Sequence, residues 1–265
     1  MERIGILGAG NMGAALAAGL NENCPELRLS FFDTDREKAQ QTASSYGADT
    51  AGSAAELAEQ SDRVIIAVKP QHLGQLFDDL AGAPAEKHYI SIVAGIPSSR
   101  FRERLSTSQV IRFMPNLAAN VGAAAVAVAA PEGVEEEFRS DALTIARALG
   151  SPLELPEELL AAFTGLSGSG IAYVFAFIHA LALGGTEAGI AYGSSLDIAL
   201  STVEGAAKLL RSSGTSPAEY LTRVTSAGGT TIAGVRALEE GGLTPAVMNA
   251  VARAKERAEE IEKGE

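Results

Sequence analysis

The chain has 265 residues, of which 46% are hydrophobic and 20% are charged, and these fractions are ordinary for a globular protein. At roughly 150 residues per domain, the length predicts two domains. The formal net charge of −12 argues against nucleic acid or an anionic membrane as a partner, because an acidic surface repels both.

The first half of the chain alternates strand-like and helix-like segments, which is typical of βαβ units. Residues 64–68 are apolar throughout, so we expect a sheet that helices cover on both faces. The predicted strands cover residues 3–7, 27–32, 63–68, 89–93, 110–114, 123–129 and 153–155. The predicted helices cover residues 12–21, 35–46 and 134–149, and a further helix begins at a capping box in residues 53–56.

A glycine-rich turn follows the first predicted strand and reads Gly-Ala-Gly-Asn-Met-Gly over residues 8–13. Its position between a strand and a helix predicts a dinucleotide-binding site. Gly8 permits the tight turn, Gly10 lets the backbone approach a pyrophosphate, and Gly13 allows close packing of helix on strand. The alternative is a glycine-rich turn without a ligand. The residues assigned to the cofactor in this turn are Gly8, Gly10, Asn11, Met12 and Gly13.

Two charged residues near the end of the second predicted strand favour different cofactors. Asp33 stands 20 residues after Gly13, where an acid typically binds the ribose hydroxyls and favours NADH. Arg36 follows it closely and is suited to the 2′-phosphate of NADPH. The alternative for Asp33 is a helix-capping role. The sequence therefore leaves NADPH versus NADH open.

The ends of two later strands point to the same crevice, because ligands bind outside the carboxyl ends of the strands in open α/β sheets. Val68, Lys69 and Pro70 end one strand, and Lys69 is either a ribose or phosphate ligand or a solvated side chain. Asn116 follows Pro115 at the end of another strand and offers an amide to the crevice. The alternative at Asn116 is a turn that only terminates the strand.

Strand signals disappear after Pro156, and the rest of the chain is predicted to be helical. We therefore expect a dinucleotide-binding domain over residues 1–155 and a helical domain over residues 156–265. The helix start signals are, in order, Ser194 with Asp197, Ser216 with Pro217 and Glu219, and Thr244 with Pro245.

Residues 171–183 form a helical run that is apolar nearly all round. Such a helix needs cover on every side, and the short helices of one chain do not supply it. We therefore expect a homodimer with interleaved helices. A membrane span is the alternative, but the apolar stretch is too short to cross a bilayer.

Residues 225–239 place Gly228 and Gly229 directly before Thr230 and Thr231, where a helical pattern begins. A helix start presents free backbone N–H groups and the positive end of the helix dipole. This arrangement predicts a site for a small carboxylate, the alternative being a plain helix start. Together with a dinucleotide site, it indicates hydride transfer to a small acid.

The single cysteine, Cys24, has no partner for an internal disulfide, which predicts a cytoplasmic location. The three histidines, at positions 72, 88 and 179, are not spaced as metal ligands with each other or with Cys24. No metal site is therefore predicted.

In this order, the motifs resemble those of the pyrroline-5-carboxylate reductase family. They are the glycine-rich turn of residues 8–13, Val68-Lys69-Pro70, the Arg-Phe-Met-Pro-Asn run of residues 112–116, Gly168-Ser-Gly170 and residues 225–239. The last is the most specific, since it matches the family pattern S-x-G-G-x-T. Members of the family make proline by reducing the cyclic imine pyrroline-5-carboxylate with NADPH or NADH. The resemblance implies a Rossmann-type doubly wound α/β sheet followed by an all-α dimerisation domain, in a homodimer that often assembles further.

By matched position, the resemblance implies a role for each residue of the 228–231 segment. Gly228, Gly229 and Thr230 bind the substrate carboxylate through backbone N–H groups, and the Thr231 hydroxyl lies next to the ring nitrogen. The family's substrate loop commonly sits at the dimer contact, so the active site is expected to need two chains.

The resemblance also implies that Asn116 and the strand end at Ala94 and Gly95 lie near the nicotinamide. Two positions depart from the family pattern: Ile171 stands where the family usually has proline, and Leu117 and Ala118 stand where it often has threonine and proline. These departures fall in supporting turns and leave the local helix-start geometry open.

Two alternative enzymes and one binding protein share part of this pattern. A β-hydroxyacid dehydrogenase has a similar glycine motif, but it needs a catalytic lysine on the long helix of residues 170–184, which contains none. An imine reductase with another cyclic imino acid fits the same motifs. A dinucleotide-sensing scaffold explains the glycine turn but gives the 228–231 segment no purpose.

Overall fold

The computed structural model describes residues 1–84 and 86–263. Its contacts divide the chain into two compact units. The first unit comprises Met1–Ser169 together with the chain from Arg253 onward, and the second comprises Gly170–Ala252. This division falls later than the predicted boundary after residue 155, which stays a prediction.

The first unit contains one eight-stranded sheet in the order β3-β2-β1-β4-β5-β6-β7-β8. All neighbours from β3 to β6 are parallel, whereas β7 runs antiparallel to β6. A single short 3-10 turn, Leu117–Val121, joins β6 to β7, too short for the crossover that a parallel neighbour needs. The strands are β1 Arg3–Leu7, β2 Arg28–Phe32, β3 Asp49–Thr50, β4 Arg63–Ile66, β5 His88–Ser91, β6 Val110–Pro115, β7 Ala124–Ala129 and β8 Gly150–Glu154.

Seven α-helices begin in the described part of the first unit; six connect these strands, the seventh follows β8, and two were not predicted. They are α1 Asn11–Asn23, α2 Arg36–Ser45, α3 Ala54–Gln60, α4 Leu73–Asp79, α5 Ser98–Leu105, α6 Glu136–Leu149 and α7 Leu160–Phe163. The helices α4 and α5 escaped prediction because both are short and neither has a side-chain cap at its start. Directly after α7, residues Thr164–Gly168 form a π-helical turn.

Side chains alternate between the two faces of the sheet, and each face has its own core. Ile65 packs in one core with residues of α1, α2 and α6. Its neighbours Val64 and Ile66 pack in the other core with residues of α3, α4 and α5. The predicted doubly wound α/β sheet is therefore confirmed, and its continuously apolar strands are explained by burial on both faces.

The second unit is entirely helical among its described residues. Its helices are α8 Gly170–Glu187, α9 Tyr192–Ser213, α10 Pro217–Val224, α11 Thr230–Glu240 and α12 Leu243–Lys263, the last of which ends in the first unit. Helix α8 packs against α9 but keeps Val174, Phe175 and Phe177 exposed within one chain. Among the described residues, one stretch, Glu157–Glu187, is long and apolar enough to cross a membrane by length and composition alone.

One of the three predicted helix caps in this unit is confirmed. The Ser216 hydroxyl accepts the Glu219 N–H at 3.3 Å, and Pro217 is the first helical residue. The prediction at Ser194 is wrong, because α9 begins at Tyr192 and Ser194 lies inside it. The prediction at Thr244 is also wrong, because α12 begins at Leu243 and the Thr244 hydroxyl instead donates to the Glu239 carboxylate at 3.2 Å.

Candidate functional site

The glycine-rich turn lies between β1 and α1, as the sequence predicts, and two of its glycines leave no room for a side chain. Gly8 has φ +111°, and a Cβ there would lie 2.7 Å from the Ala67 carbonyl oxygen. A Cβ on Gly13 would lie 2.1 Å from the Gly8 carbonyl oxygen. Only glycine fits these positions, so the chain passes unusually close to its neighbours here.

Helix α1 begins without a protein cap. Gly10 is its N-cap residue, no side chain caps the helix, and its first turn contains no acid. Within the described residues, nothing accepts a hydrogen bond from the N–H groups of Asn11 and Met12. These N–H groups and the positive helix end fit a pyrophosphate, which needs such donors and no basic surface.

A cleft of about 260 Å³ lies beside this turn, at the carboxyl ends of β1, β2 and β4. Of the predicted cofactor residues it brings together Gly8, Gly10, Asp33, Val68 and Lys69. It also includes residues that sequence reasoning did not assign, namely Thr34, Lys38, His72, Gln75 and Asp79. The other predicted cofactor residues do not line this cleft; they are Asn11, Met12, Gly13, Arg36, Pro70, Ala94, Gly95 and Asn116.

The Asp33 carboxylate is held in place by backbone donors. It accepts the Ala9 N–H at 2.8 Å and the Asp35 N–H at 3.0 Å, and the Lys38 ammonium lies 3.4 Å away. Burial raises the pKa of Asp33, but these hydrogen bonds and the Lys38 charge together lower it below its usual value. The carboxylate is therefore ionised at neutral pH. The alternative of a capping role is wrong, because Asp35 caps α2.

Arg36 is the first residue of α2 and does not line the first cleft. It lines a second cleft of about 320 Å³ that also includes Asp33 and Thr34. Asp33, which favours NADH, and Arg36, which favours NADPH, thus line the same second cleft. Asp33 faces both clefts, whereas Arg36 faces only the second.

The later strand ends lie at the same edge of the sheet, because β1, β4, β5 and β6 are parallel. Pro70 begins a 3-10 turn after Lys69. The strand predicted to reach residue 93 ends at Ser91, and Gly95 follows in a turn with φ +73°. A Cβ on Gly95 would lie 2.8 Å from the Ile261 Cγ2, so the end of α12 packs on this turn.

Asn116 has both ends of its side-chain amide engaged. Its Oδ1 accepts the Ala118 N–H at 3.1 Å, and its Nδ2 donates to the Ser167 Oγ at 3.1 Å. Ser167 lies in the π-helical turn Thr164–Gly168. Sequence reasoning named the neighbouring Gly168-Ser-Gly170 motif but missed Ser167, because a π turn has no reliable sequence signal.

A buried ion pair supports the same edge of the sheet. Arg112 is almost fully buried, and its Nη1 lies 2.9 Å from Glu157 Oε1. Glu157 also accepts the Ser98 N–H at 2.6 Å, at the start of α5. Burial raises the pKa of Glu157, but the hydrogen bonds from Ser98 and the Arg112 charge together lower it. Glu262 lies 3.8 Å from the Arg112 Nη2, which has no hydrogen-bond partner among the described residues.

In the second unit, α11 begins at Thr230 with Gly229 as its N-cap residue and without a side-chain cap. Gly228 has φ +67°, which favours glycine. The Gly229 N–H donates to the Ser226 carbonyl at 3.1 Å, so it is not free to bind a carboxylate as predicted. The N–H groups of Gly228, Thr230 and Thr231 have no protein acceptor among the described residues, so they are available to a ligand.

The starts of α1 and α11 are therefore both uncapped and preceded by glycine, and each is suited to an anion. The first lies beside a cleft with an ionised carboxylate, as a dinucleotide site requires. The second carries a threonine hydroxyl at position 231. Within the described ranges, no group of three or more His, Cys, Asp or Glu side chains is placed to hold a metal ion.

Two family models match the chain. The model described as pyrroline-5-carboxylate reductase dimerisation matches residues 157–261. The model described as NADP oxidoreductase, coenzyme F420-dependent, matches residues 3–95, which include the glycine-rich turn and Gly95.

Individual proteins match over almost the whole chain. A pyrroline-5-carboxylate reductase of Methanosarcina acetivorans is 39% identical, and the match covers 99% of this chain and 98% of that protein. The solved 1-pyrroline-5-carboxylate reductase of Streptococcus pyogenes is 31% identical with a TM-score of 0.86, covering 97% of this chain and 98% of that chain. The pyrroline carboxylate reductase of Plasmodium falciparum, solved with NADP bound, is 26% identical with a TM-score of 0.87, covering 98% of both chains.

Proposed function

The chain belongs to the pyrroline-5-carboxylate reductase family, and from this premise we propose that it reduces 1-pyrroline-5-carboxylate to L-proline with a nicotinamide cofactor. It is accordingly an oxidoreductase that acts on a C=N bond. One observation carries the proposal: the helix starts at Gly10 and at Gly229 are both uncapped and preceded by glycine. One suits a dinucleotide, and the other suits the carboxylate of a small acid.

The cofactor site is formed by the glycine-rich turn and the strand ends beside it. Helix α1 supplies the Asn11 and Met12 N–H groups for the pyrophosphate, and Gly8 and Gly10 allow close approach. When bound, the reduced nicotinamide supplies the hydride. In this proposal Ala94, Gly95 and Asn116 border the nicotinamide, since they follow β5 and β6 at the same sheet edge.

Both NADH and NADPH are accepted in this proposal. Asp33 binds the ribose hydroxyls, which favours NADH. However, the Lys38 ammonium lies beside the Asp33 carboxylate and offsets its charge. The Arg36 guanidinium then adds a positive charge at the second cleft. Arg36 therefore remains available for the 2′-phosphate of NADPH. The relative solved with NADP bound supports this part of the proposal.

The substrate carboxylate binds at the start of α11. Gly228, Thr230 and Thr231 donate backbone N–H groups to it, and Gly228 and Gly229 keep the approach free of side chains. The carboxylate fixes the ring, and positioning of this kind supplies much of the rate enhancement in such reactions. Hydride transfer requires this site and a bound cofactor to meet, within one chain or across two.

Thr231 provides the chemistry at the ring nitrogen. Its side chain is exposed and makes no hydrogen bond among the described residues, so the hydroxyl is free for the substrate. Hydride addition at the imine carbon turns the C=N bond into C–N, and the nitrogen becomes an amine that carries a proton taken from water or already present on the protonated imine. A hydrogen bond to Thr231 stabilises the nitrogen during this change.

The dimerisation family match covers α8 to α12 up to residue 261, so the chain forms a homo-oligomer. In this proposal the oligomer is a homodimer that assembles further, and the dimer covers the exposed apolar residues of α8. A stable, active monomer in sedimentation would contradict this. The cytoplasmic location and the absence of nucleic-acid and membrane partners stay predictions.

A spectrophotometric assay tests the proposal. Purified protein is mixed with NADH or NADPH and with 1-pyrroline-5-carboxylate, and the loss of reduced-cofactor absorbance is followed. The matched control substrate is the six-membered cyclic imino acid 1-piperideine-6-carboxylate. We expect turnover with the five-membered ring at a kcat/KM well above that of the six-membered one. Turnover with the larger ring alone would favour the alternative imine reductase.

A further inference from the structure

The orientation of the Asn116 amide is fixed by its neighbours. Backbone N–H groups only donate, so the atom 3.1 Å from the Ala118 N–H must be the Asn116 carbonyl oxygen. The other end of the amide is then the NH₂ group, and it donates to the Ser167 Oγ at 3.1 Å. This assignment needs no choice of hydrogen positions at Ser167.

The consequence for Ser167 is a hydroxyl whose hydrogen is directed away from Asn116. Its oxygen accepts from Asn116, so its own hydrogen points elsewhere. No described residue accepts a hydrogen bond from this hydroxyl, and the side chain is only partly buried. Ser167 therefore presents one donor, directed away from Asn116, next to the end of β6.

The backbone around Ser167 is also unusual. The Ser169 N–H donates to the Thr164 carbonyl at 2.8 Å, five residues earlier, which defines the π turn. Such single π turns are rare and occur frequently at functional sites. The turn places Ser167 within reach of Asn116, which lies 51 residues earlier in the chain.

We propose that the Ser167 hydroxyl donates a hydrogen bond to the carboxamide oxygen of the bound nicotinamide, with Asn116 as the positioning residue that aims it. This proposal rests on the proposed function, in which Asn116 borders the nicotinamide. Ser167 and Asn116 lie in the same compact unit as the glycine-rich turn. The carboxamide oxygen is the hydrogen-bond acceptor on the nicotinamide. A donor at a fixed position favours one rotation of the carboxamide and therefore one orientation of the ring.

A cofactor analogue isolates this one hydrogen bond. In thionicotinamide adenine dinucleotide, sulfur replaces the carboxamide oxygen and accepts a hydrogen bond more weakly. The dissociation constants of NADH and reduced thio-NADH are measured by calorimetry for the wild type and for Ser167→Ala. We expect the wild type to prefer NADH by about fivefold more than the variant does, which is the contribution of one neutral hydrogen bond. An unchanged preference in Ser167→Ala would overturn the proposal.

A second variant tests the positioning role of Asn116. In Asn116→Asp the carboxylate still accepts the Ala118 N–H, but it has no hydrogen to donate to Ser167. Ser167 then donates to the aspartate and turns away from the cofactor. The added charge affects both cofactors alike, so we expect the preference for NADH over thio-NADH to fall as it does in Ser167→Ala. If Asn116→Asp keeps the wild-type preference, Asn116 does not aim the hydroxyl.

The matched control is Ser169→Ala, which removes a hydroxyl two residues after Ser167. This variant should keep the wild-type preference for NADH over thio-NADH. Thermal unfolding shows whether each variant folds, and if Ser167→Ala does not, Asn116→Asp decides the question. These measurements use the cofactor without substrate, so a negative result for the Ser167 hydrogen bond does not depend on whether the proposed function is correct. The latter appears as no turnover of 1-pyrroline-5-carboxylate.

Discussion

The Asp33 carboxylate accepts a hydrogen bond from the Ala9 N–H over 2.8 Å, so the end of β2 holds the glycine-rich turn that follows β1. The same carboxylate accepts the Asp35 N–H before α2. Removing it would disturb both segments and would confuse a loss of cofactor contact with a loss of local structure. Cofactor choice is therefore better tested at Arg36, whose side chain makes no hydrogen bond or ion pair with any described residue.

We expect Arg36→Ala to raise the KM for NADPH about tenfold and to leave the KM for NADH unchanged. The reason is the loss of a charge-assisted hydrogen bond to the 2′-phosphate, worth roughly 1.5 kcal/mol. The measurement is steady-state kinetics with each cofactor. Arg28→Ala is the matched control, since it removes the same charge at the opposite end of β2. An equal rise in both KM values would show that Arg36 does not read the 2′-phosphate.

Thr231→Ala should keep the fold and cofactor binding but lower kcat/KM about thirtyfold. This corresponds to one lost hydrogen bond to a charged group, roughly 2 kcal/mol. Thr231→Ser should restore most of the activity, because it returns the hydroxyl. Thr222→Ala, on exposed α10, is the control and should have wild-type kinetics. Kinetics in Thr231→Ala that match the wild type would remove the hydroxyl from the mechanism.

Glu157→Gln should lower the free energy of unfolding by about 3 kcal/mol at neutral pH, because it removes the carboxylate 2.9 Å from the buried Arg112 and leaves only Glu262, at 3.8 Å, beside that charge. The folded-state pKa of Glu157 is lowered, so its stabilisation is present above the unfolded-state pKa and is lost as the pH falls through the folded-state value. Urea unfolding should therefore show the two proteins converging as the pH falls below the usual glutamate range.

The neighbouring Glu158→Gln is the control for that experiment. Glu158 is exposed and makes no ion pair among the described residues, so its replacement should change the free energy of unfolding by less than about 0.5 kcal/mol. Equal effects at positions 157 and 158 would mean that the buried pair is not the cause.

Phe175→Asp should weaken the dimer, with a dissociation constant raised roughly thirtyfold or more. Phe175 is 55% exposed in one chain, and the proposed dimer buries it, so an aspartate would have to lose its water. Sedimentation equilibrium measures the change. Leu153→Asp makes a similar apolar-to-acid change on β8, outside the dimerisation match, and should leave the dimer intact. A dimer of wild-type strength in Phe175→Asp would place the interface elsewhere.

Much of the sheet could be predicted from the sequence because its signals are local. The turn at residues 8–13 needs glycine for close backbone approach, and a buried strand such as β4 needs apolar residues on both faces. The helix-start signals fail where several neighbouring residues could each begin the helix. Ser194 resembles a cap, but α9 already begins at Tyr192, two residues earlier.

The parts of the site that escaped prediction depend on long-range contacts. Arg112 and Glu157 are 45 residues apart, and Asn116 and Ser167 are 51 apart, so no local pattern joins either pair. The Gly229 N–H was expected to be free, but the turn at Gly228 directs it to the Ser226 carbonyl. Turn geometry of this kind follows from the folded backbone rather than from residue type.

The most direct test is a crystal structure of the protein with L-proline and an oxidised nicotinamide dinucleotide bound together. The account predicts the proline carboxylate about 3 Å from the Thr230 and Thr231 N–H groups. The ring carbon next to the nitrogen, on the side away from the carboxylate, should lie roughly 3–3.5 Å from the nicotinamide carbon that carries the hydride. Proline bound away from Thr230, or far from the nicotinamide in every combination of chains, would contradict it.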